Sequence, residues 1–182
     1  YNQLSNKFFK PSSKELLTAR SVRDFVPTKT QRASYKFFFV AIILFFVQVS
    51  SGFVTINEFV DYLGFFGVEF SESFPITVSR SWHLMLSLYW ISTCWIASSI
   101  FILPILAKRE VEHQLPLINL LFVLLVVLVA GSLTGMVLGP MGVLGDWWHA
   151  LGHQGWEFVD FGQAFQVLLM LIFVLWGIVV FR

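Results

Sequence analysis

The chain has 182 residues, twelve Lys and Arg against eleven Asp and Glu for a net charge of +1, and a composition that is 57% hydrophobic, 18% aromatic and only 13% charged. With a mean hydropathy of +0.75, this excludes a water-soluble globular domain, in which about a quarter of residues are charged. The single Cys94 excludes an intrachain disulfide and, lying within an apolar run, reads as a small buried hydrophobe.

Residues 1–34 are polar and are broken by Pro11-Ser12-Ser13 and Pro27-Thr28, so they read as a leader feeding the first helix, not as a folded domain. A membrane-spanning helix needs about 20 mainly apolar residues. Four runs qualify, at 37–56, 82–106, 115–138 and 161–181, and none contains Asp, Glu, Lys or Arg. The expectation is an all-α integral membrane protein whose membrane domain, 35–182, carries spans near 37–57, 80–106, 115–139 and 160–181. The first run lies behind more than thirty polar residues, unlike a cleavable signal peptide. The chain begins at Tyr1 and stops just after an apolar helix, which reads as a piece of something larger.

Charge sets the expected orientation. Eight of the twelve bases (Lys7, Lys10, Lys14, Arg20, Arg23, Lys29, Arg32, Lys36) precede the first span, Lys108 and Arg109 follow the second, and Arg182 follows the fourth, while 57–79 and 139–160 contain no Lys or Arg. The positive-inside rule then predicts a cytoplasmic N-terminus and a multi-pass protein of the cell inner membrane. A basic leader beside a span is read as orientation and attraction to anionic lipid, not as a nucleic-acid site.

The first outer connection, from Asn57 through Glu58, Asp61 and Phe66 to Gly67, mixes acids and aromatics like an interfacial belt. The second is denser in chemistry: residues 145–160 hold two of the four histidines (His149, His153) and three of the eleven acids (Asp146, Glu157, Asp160). Trp147, Trp148 and Trp156 read as belt anchors. Ser92, Thr93, Ser98 and Ser99, with Gly131, Ser132 and Gly135, are small residues that permit close helix packing. His113, beside Glu110 and Glu112, reads as a solvated residue of the inner connection.

His83 is the residue that asks for an explanation, because an imidazole in the outer part of an apolar span is costly without a role. Arg80 lies one turn above it. An imidazole below a guanidinium suits an axially ligated haem whose propionates point outward, since Arg offers a fork of donors to a carboxylate. A histidine hydrogen-bonded to a neighbouring helix is the alternative. The topology sets Arg80 and His83 at the membrane level of Asp146, His153, Glu157 and Asp160, so those groups are expected to converge. Within the outer connection His149, His153 and Glu157 recur at i, i+4 spacing and could present nitrogen and oxygen ligands to zinc or iron, but Gly152 and Gly155 interrupt such a helix and the pattern is not the His-Glu-x-x-His signature. Glu157 and Asp160 beside propionates would require a cation, for which calcium is suited; solvation, or pairing with Arg80, serves equally.

The stretches Gln31-Arg32-Ala33, Phe46-Val47-Gln48, Val78-Ser79-Arg80-Ser81-Trp82-His83-Leu84, Gly131-Ser132-Leu133 and Gly152-His153-Gln154-Gly155-Trp156-Glu157-Phe158-Val159-Asp160 together resemble the quinol-dependent nitric oxide reductases of the haem-copper oxidase superfamily. The resemblance runs from about Gln31 to the end and rests on the Arg-x-Trp-His and Gly-His-Gln-Gly-aromatic-Glu pair. It implies a part of a haem-copper oxidase-like helix bundle, the early helices of a catalytic subunit that reduces nitric oxide to nitrous oxide, in which His83 is one axial ligand of the low-spin haem b and Arg80 steadies its propionates. It implies that Glu157 lies near a calcium ion, with Asp160 at a second acidic position of that region. The other haem b ligand, the proximal ligand of haem b3 and the ligands of the non-haem iron would come from later helices, on the same or another chain, so these residues hold no catalytic metal by themselves.

One departure bears on the electron donor. Quinol-dependent relatives carry a His and a Glu four residues apart after the first helix, where this chain has Asn57 and Asp61. Asn57 cannot take the proton that quinol oxidation releases, which argues against quinol. Two further readings stand beside the reductase: a nitric oxide dismutase-like enzyme that uses no external donor, and a non-catalytic membrane subunit of a larger complex.

Overall fold

The computed structural model describes residues 25–62, 64–67, 75–107, 113–153 and 160–181. The described residues contain helices and no strand: α1 (Lys29–Val60), α2 (Ile76–Ala107), α3 (Gln114–Leu138), the single turn α4 (Trp148–Leu151) and α5 (Gln163–Phe181), with 3₁₀ turns at Gly64–Phe66 and Gly145–Trp147. α1, α2, α3 and α5 are long and apolar enough to cross a membrane, as the four hydrophobic runs predict. The protein is a multi-pass membrane protein.

The helices outrun the apolar segments where polar caps hold their ends. α1 starts at Lys29, inside the polar leader, because Thr28 forms a capping box: its Oγ1 accepts from the Gln31 amide at 3.3 Å and Gln31 Oε1 accepts from the Thr28 amide at 2.9 Å. At 32 residues α1 is about 48 Å long, against about 30 Å of hydrocarbon. It ends at Asp61 in the left-handed region (φ 48°), whose Oδ1 accepts from the Gly64 amide at 3.1 Å and turns the chain into the following 3₁₀ turn. α2 begins directly after Pro75, whose carbonyl accepts from Val78 and Ser79. α5 begins only at Gln163, so Asp160 and Phe161 stand outside it, with the Gly162 carbonyl accepting from Phe165 and Gln166.

α1 runs along α2, and α3 packs on α5. The core between them is formed by Phe37, Leu86, Tyr89, Ile118, Leu121, Leu128, Met136 and Phe161. Polar side chains tie the helices where lipid offers no partner. Tyr89 donates to Ser132 Oγ at 2.8 Å, Trp82 Nε1 to the Leu133 carbonyl at 3.1 Å and Trp176 Nε1 to Ser99 Oγ at 2.7 Å, joining α2 to α3 and α5. Gln31 Nε2 donates to the Phe101 carbonyl at 2.9 Å, near the Pro104 interruption of α2, and Gln114 Nε2 donates to the Val179 carbonyl at 2.8 Å. Gly131 admits the Phe165 ring, and Gly135 lies in direct contact with the Leu151 carbonyl of α4, which is how the small residues of α3 are used.

Candidate functional site

His83 is half-buried on the face of α2 turned to α1. Its Nδ1 lies 2.9 Å from the backbone carbonyl of Gln48. A carbonyl only accepts, so Nδ1 carries the proton and Nε2 holds the lone pair. The Gln48 side chain amide approaches that ring from the same side, at 3.4 Å from Nε2 and 3.5 Å from Nδ1. The ring can lie this close because position 52 has no side chain: a Cβ there would stand 2.6 Å from both Nδ1 and Cε1. His83 is therefore hydrogen-bonded to a neighbouring helix, and the bond fixes one tautomer and one ring plane. Histidines that ligate metals are commonly oriented this way, by an Nδ1–H bond to a carbonyl that leaves Nε2 as the ligand atom.

Seven residues along, on the same face of α2, Trp90 packs edge-on against Phe45 with centroids 5.3 Å apart. Its buried Nε1–H has no acceptor. The strip beside His83 thus combines an imidazole of fixed tautomer, an aromatic pair and a buried indole donor without an acceptor. Arg80 is exposed, one turn nearer the end of the bundle than His83.

Asp160, a described acid of the second connection, does not join His83. Ser81, Asp160 and His153 form a separate cluster on the other side of α2. Ser81 Oγ donates to Asp160 Oδ2 at 2.7 Å, and His153 Nε2 lies 3.2 Å from Ser81 Oγ and 3.4 Å from Asp160 Oδ1. Ser81 and Asp160 are buried, at 2% and 3% exposure. The expected convergence of His83 with Asp160 and His153 is not found, for a geometric reason: topology fixes the level of a residue, but Ser81 and His83, two positions apart on a helix, point about 200° apart. Pairing of Asp160 with Arg80 is likewise replaced by the Ser81 hydroxyl.

The three residue types suggest a nucleophilic relay, which the geometry excludes. In such a relay the hydroxyl and the carboxylate occupy opposite ring nitrogens, whereas here both lie at Nε2 and the Ser81 proton is committed to the carboxylate. The cluster is a lock that holds the start of the Asp160 segment on α2. Both oxygens of Asp160 are engaged by protein groups, and no group of three or more His, Cys, Asp or Glu suited to a metal occurs among the described residues. Glu157, the other expected calcium position, lies outside the described residues, as does Trp156. His149 belongs to α4 but His153 follows the helix end at Gly152, so the two do not share a helix face. Trp147 and Trp148 are exposed at this end, as belt anchors would be.

Asn57 is buried, and its carbonyl accepts from the Asp61 amide at 2.7 Å. Asp61 is exposed and serves the turn to Gly64. His113 is exposed and precedes α3 in the left-handed region; Glu110 and Glu112 lie outside the described residues.

Sequence reasoning undervalued Gln48 and missed Gly52 and Ser81. Gln48 offers its backbone, which no pattern of side chains reveals. Gly52 lies on the α1 face that meets His83, a signal that only the pairing of α1 with α2 makes readable. Comparison with models of known protein families finds no match to this chain, and comparison with curated proteins finds none.

Proposed function

We propose that this chain supplies the early membrane helices of a nitric oxide reductase-like oxidoreductase of the haem-copper oxidase superfamily, with His83 Nε2 as one axial ligand of a low-spin haem b. The observation that carries the proposal is the Nδ1–H bond from His83 to the Gln48 carbonyl. It puts the proton on Nδ1 and holds the ring plane, and Nε2, which the Gln48 side-chain amide meets at 3.4 Å, becomes the ligand atom once that amide turns away. Haem b, when bound, passes single electrons toward the site where nitric oxide is reduced. The residues of this chain have the supporting tasks. Gly52 admits the imidazole, Gln48 orients it, Trp90 and Phe45 line the strip below, and Arg80 offers a guanidinium to carboxylates at the membrane surface. The second axial ligand, haem b3 and the non-haem iron belong to further helices, and the N-terminus faces the cytoplasm.

Haem content of the purified complex, measured as the pyridine haemochrome, tests this. Loss of one haem b per complex is expected in His83→Leu, with the remaining haem retained. Unchanged haem content in a folded His83→Leu complex would refute the ligand assignment and favour a membrane subunit without chemistry.

A second reading is favoured by a specific residue. Asn57 holds the position where a proton acceptor for quinol is expected, and the neighbouring Asp61 is spent on a turn. The same bundle would then serve a dismutase-like enzyme that needs no external donor. Nitric oxide turnover driven by quinol in the whole complex would exclude it.

A further inference from the structure

At the end of the bundle where α1 and α3 begin, the bases of α1 fall at positions 29, 32 and 36. Steps of three and four put Lys29, Arg32 and Lys36 on one helix face, along a strip about 10 Å long. Lys29 and Arg32 are exposed. Lys36 sits deeper, at the margin of the apolar run, and is held in place: Nζ donates to Asn119 Oδ1 of α3 at 2.6 Å and stands 4.5 Å from the centroid of Phe122. An ammonium has three donors, and a neutral amide oxygen and a ring face leave its charge unmatched in a place where unpaired charge is costly. Asn119 is exposed, and its side chain carries two amide N–H donors besides the oxygen that Lys36 uses.

Nothing described nearby supplies the counter-charge. The four acids among the described residues, Glu58, Asp61, Asp146 and Asp160, all belong to the opposite end of the bundle. The connection 108–112 adds two bases and two acids, hence no net charge, and residues 1–24 add five bases against the two acids Glu15 and Asp24. Toward the membrane interior the strip continues into exposed apolar side chains, Phe39 on α1 and Val123 on α3. A ligand that matches both halves carries a phosphate above and hydrocarbon below.

We infer that Lys29, Arg32, Lys36 and Asn119 form a headgroup site for an anionic phospholipid, with Lys36 and Asn119 at the phosphate and acyl chains along Phe39 and Val123. The site lies at the far end of the bundle from His83 and does not depend on haem. A basic leader alone would attract an anionic surface without selecting positions. The bridge from Lys36 to Asn119 makes the difference, because it fixes one cation between two helices.

The test is electron spin resonance of spin-labelled phosphatidylglycerol and phosphatidylcholine with the whole protein reconstituted in phosphatidylcholine bilayers. The wild type is expected to prefer phosphatidylglycerol, more strongly at low salt. Lys29→Gln/Arg32→Gln/Lys36→Gln is expected to lower the preference by about fivefold per base removed, to the unselective attraction of the leader bases Lys7, Lys10, Lys14, Arg20 and Arg23. Should the triple variant fail to insert, Asn119→Leu, at an exposed position, is expected to lower the preference by about two- to tenfold. Equal association of the two lipids with the wild type, or a wild-type preference in either folded variant, overturns the inference. So does loss of the preference on adding inorganic phosphate at constant ionic strength, which would make this a site for free anions.

Discussion

Replacing Gly52 by alanine puts one methyl group where the His83 ring lies, 2.6 Å from two of its atoms. The ring must leave α1 and give up its bond to the Gln48 carbonyl. Loss of that bond costs about 0.6–1.5 kcal/mol, the lower figure being typical between helices in lipid. Forcing the overlap costs about 1–3 kcal/mol, and alanine recovers about 1 kcal/mol over glycine in a helix. The sum is a net loss of about 1–3 kcal/mol. Unfolding of the whole protein in mixed detergent and dodecyl sulfate micelles, followed by far-ultraviolet circular dichroism, reads this difference. Gly177→Ala is the internal control, since a Cβ there meets nothing within 4 Å, and it is expected to be neutral or to stabilise by up to about 1 kcal/mol. A Gly52→Ala protein as stable as the Gly177→Ala protein would falsify the seating of His83 on α1, and with it the tautomer from which the ligand atom was deduced.

Gly135→Ala drives a Cβ into the Leu151 carbonyl, a backbone atom with no rotamer to relieve the overlap, so it is expected to cost at least the upper end of the Gly52→Ala range, about 3 kcal/mol, in the same unfolding assay. Ser81→Ala removes the hydroxyl donor from the buried Asp160 carboxylate and is expected to cost about 1–3 kcal/mol. A double-mutant cycle with Asp160→Asn should give a coupling above about 0.5 kcal/mol; strict additivity would show that the two residues do not share a bond. Tyr89→Phe loses the bond to Ser132 and is expected to cost about 0.6 kcal/mol, because the Ser132 hydroxyl also reaches the Val129 carbonyl at 3.3 Å. A larger cost would mean that the hydroxyl depends on Tyr89.

The spans were legible because lipid imposes a strong rule: an apolar run without charge must be a helix across the bilayer. Their ends were less so. The hydrophobic runs mark the stretch in hydrocarbon, while the helix continues as far as its caps allow, to Lys29 through the Thr28 capping box and to Ile76 behind Pro75. His83 stood out by its cost in lipid, and of the two readings given to it the structure shows the hydrogen bond to a neighbouring helix, through the Gln48 carbonyl. The grouping of the outer residues was not legible. Level in the membrane follows from topology, but direction around the helix axis follows from which neighbour each face meets, and that separated His83 from Ser81, Asp160 and His153. Gly152 ended α4 as its position in the sequence suggested, which removed the histidine pair as a helical metal site.

We propose His83 Nε2 as a ligand of haem iron. Low-temperature electron paramagnetic resonance of the oxidised whole complex is the test, by the signal of a low-spin ferric haem. This signal is expected to be present in the wild type, lost in His83→Leu, and shifted or broadened in Gly52→Ala, where the imidazole is displaced but not removed. A wild-type complex without a low-spin signal, or a His83→Leu complex that keeps it, would contradict the account.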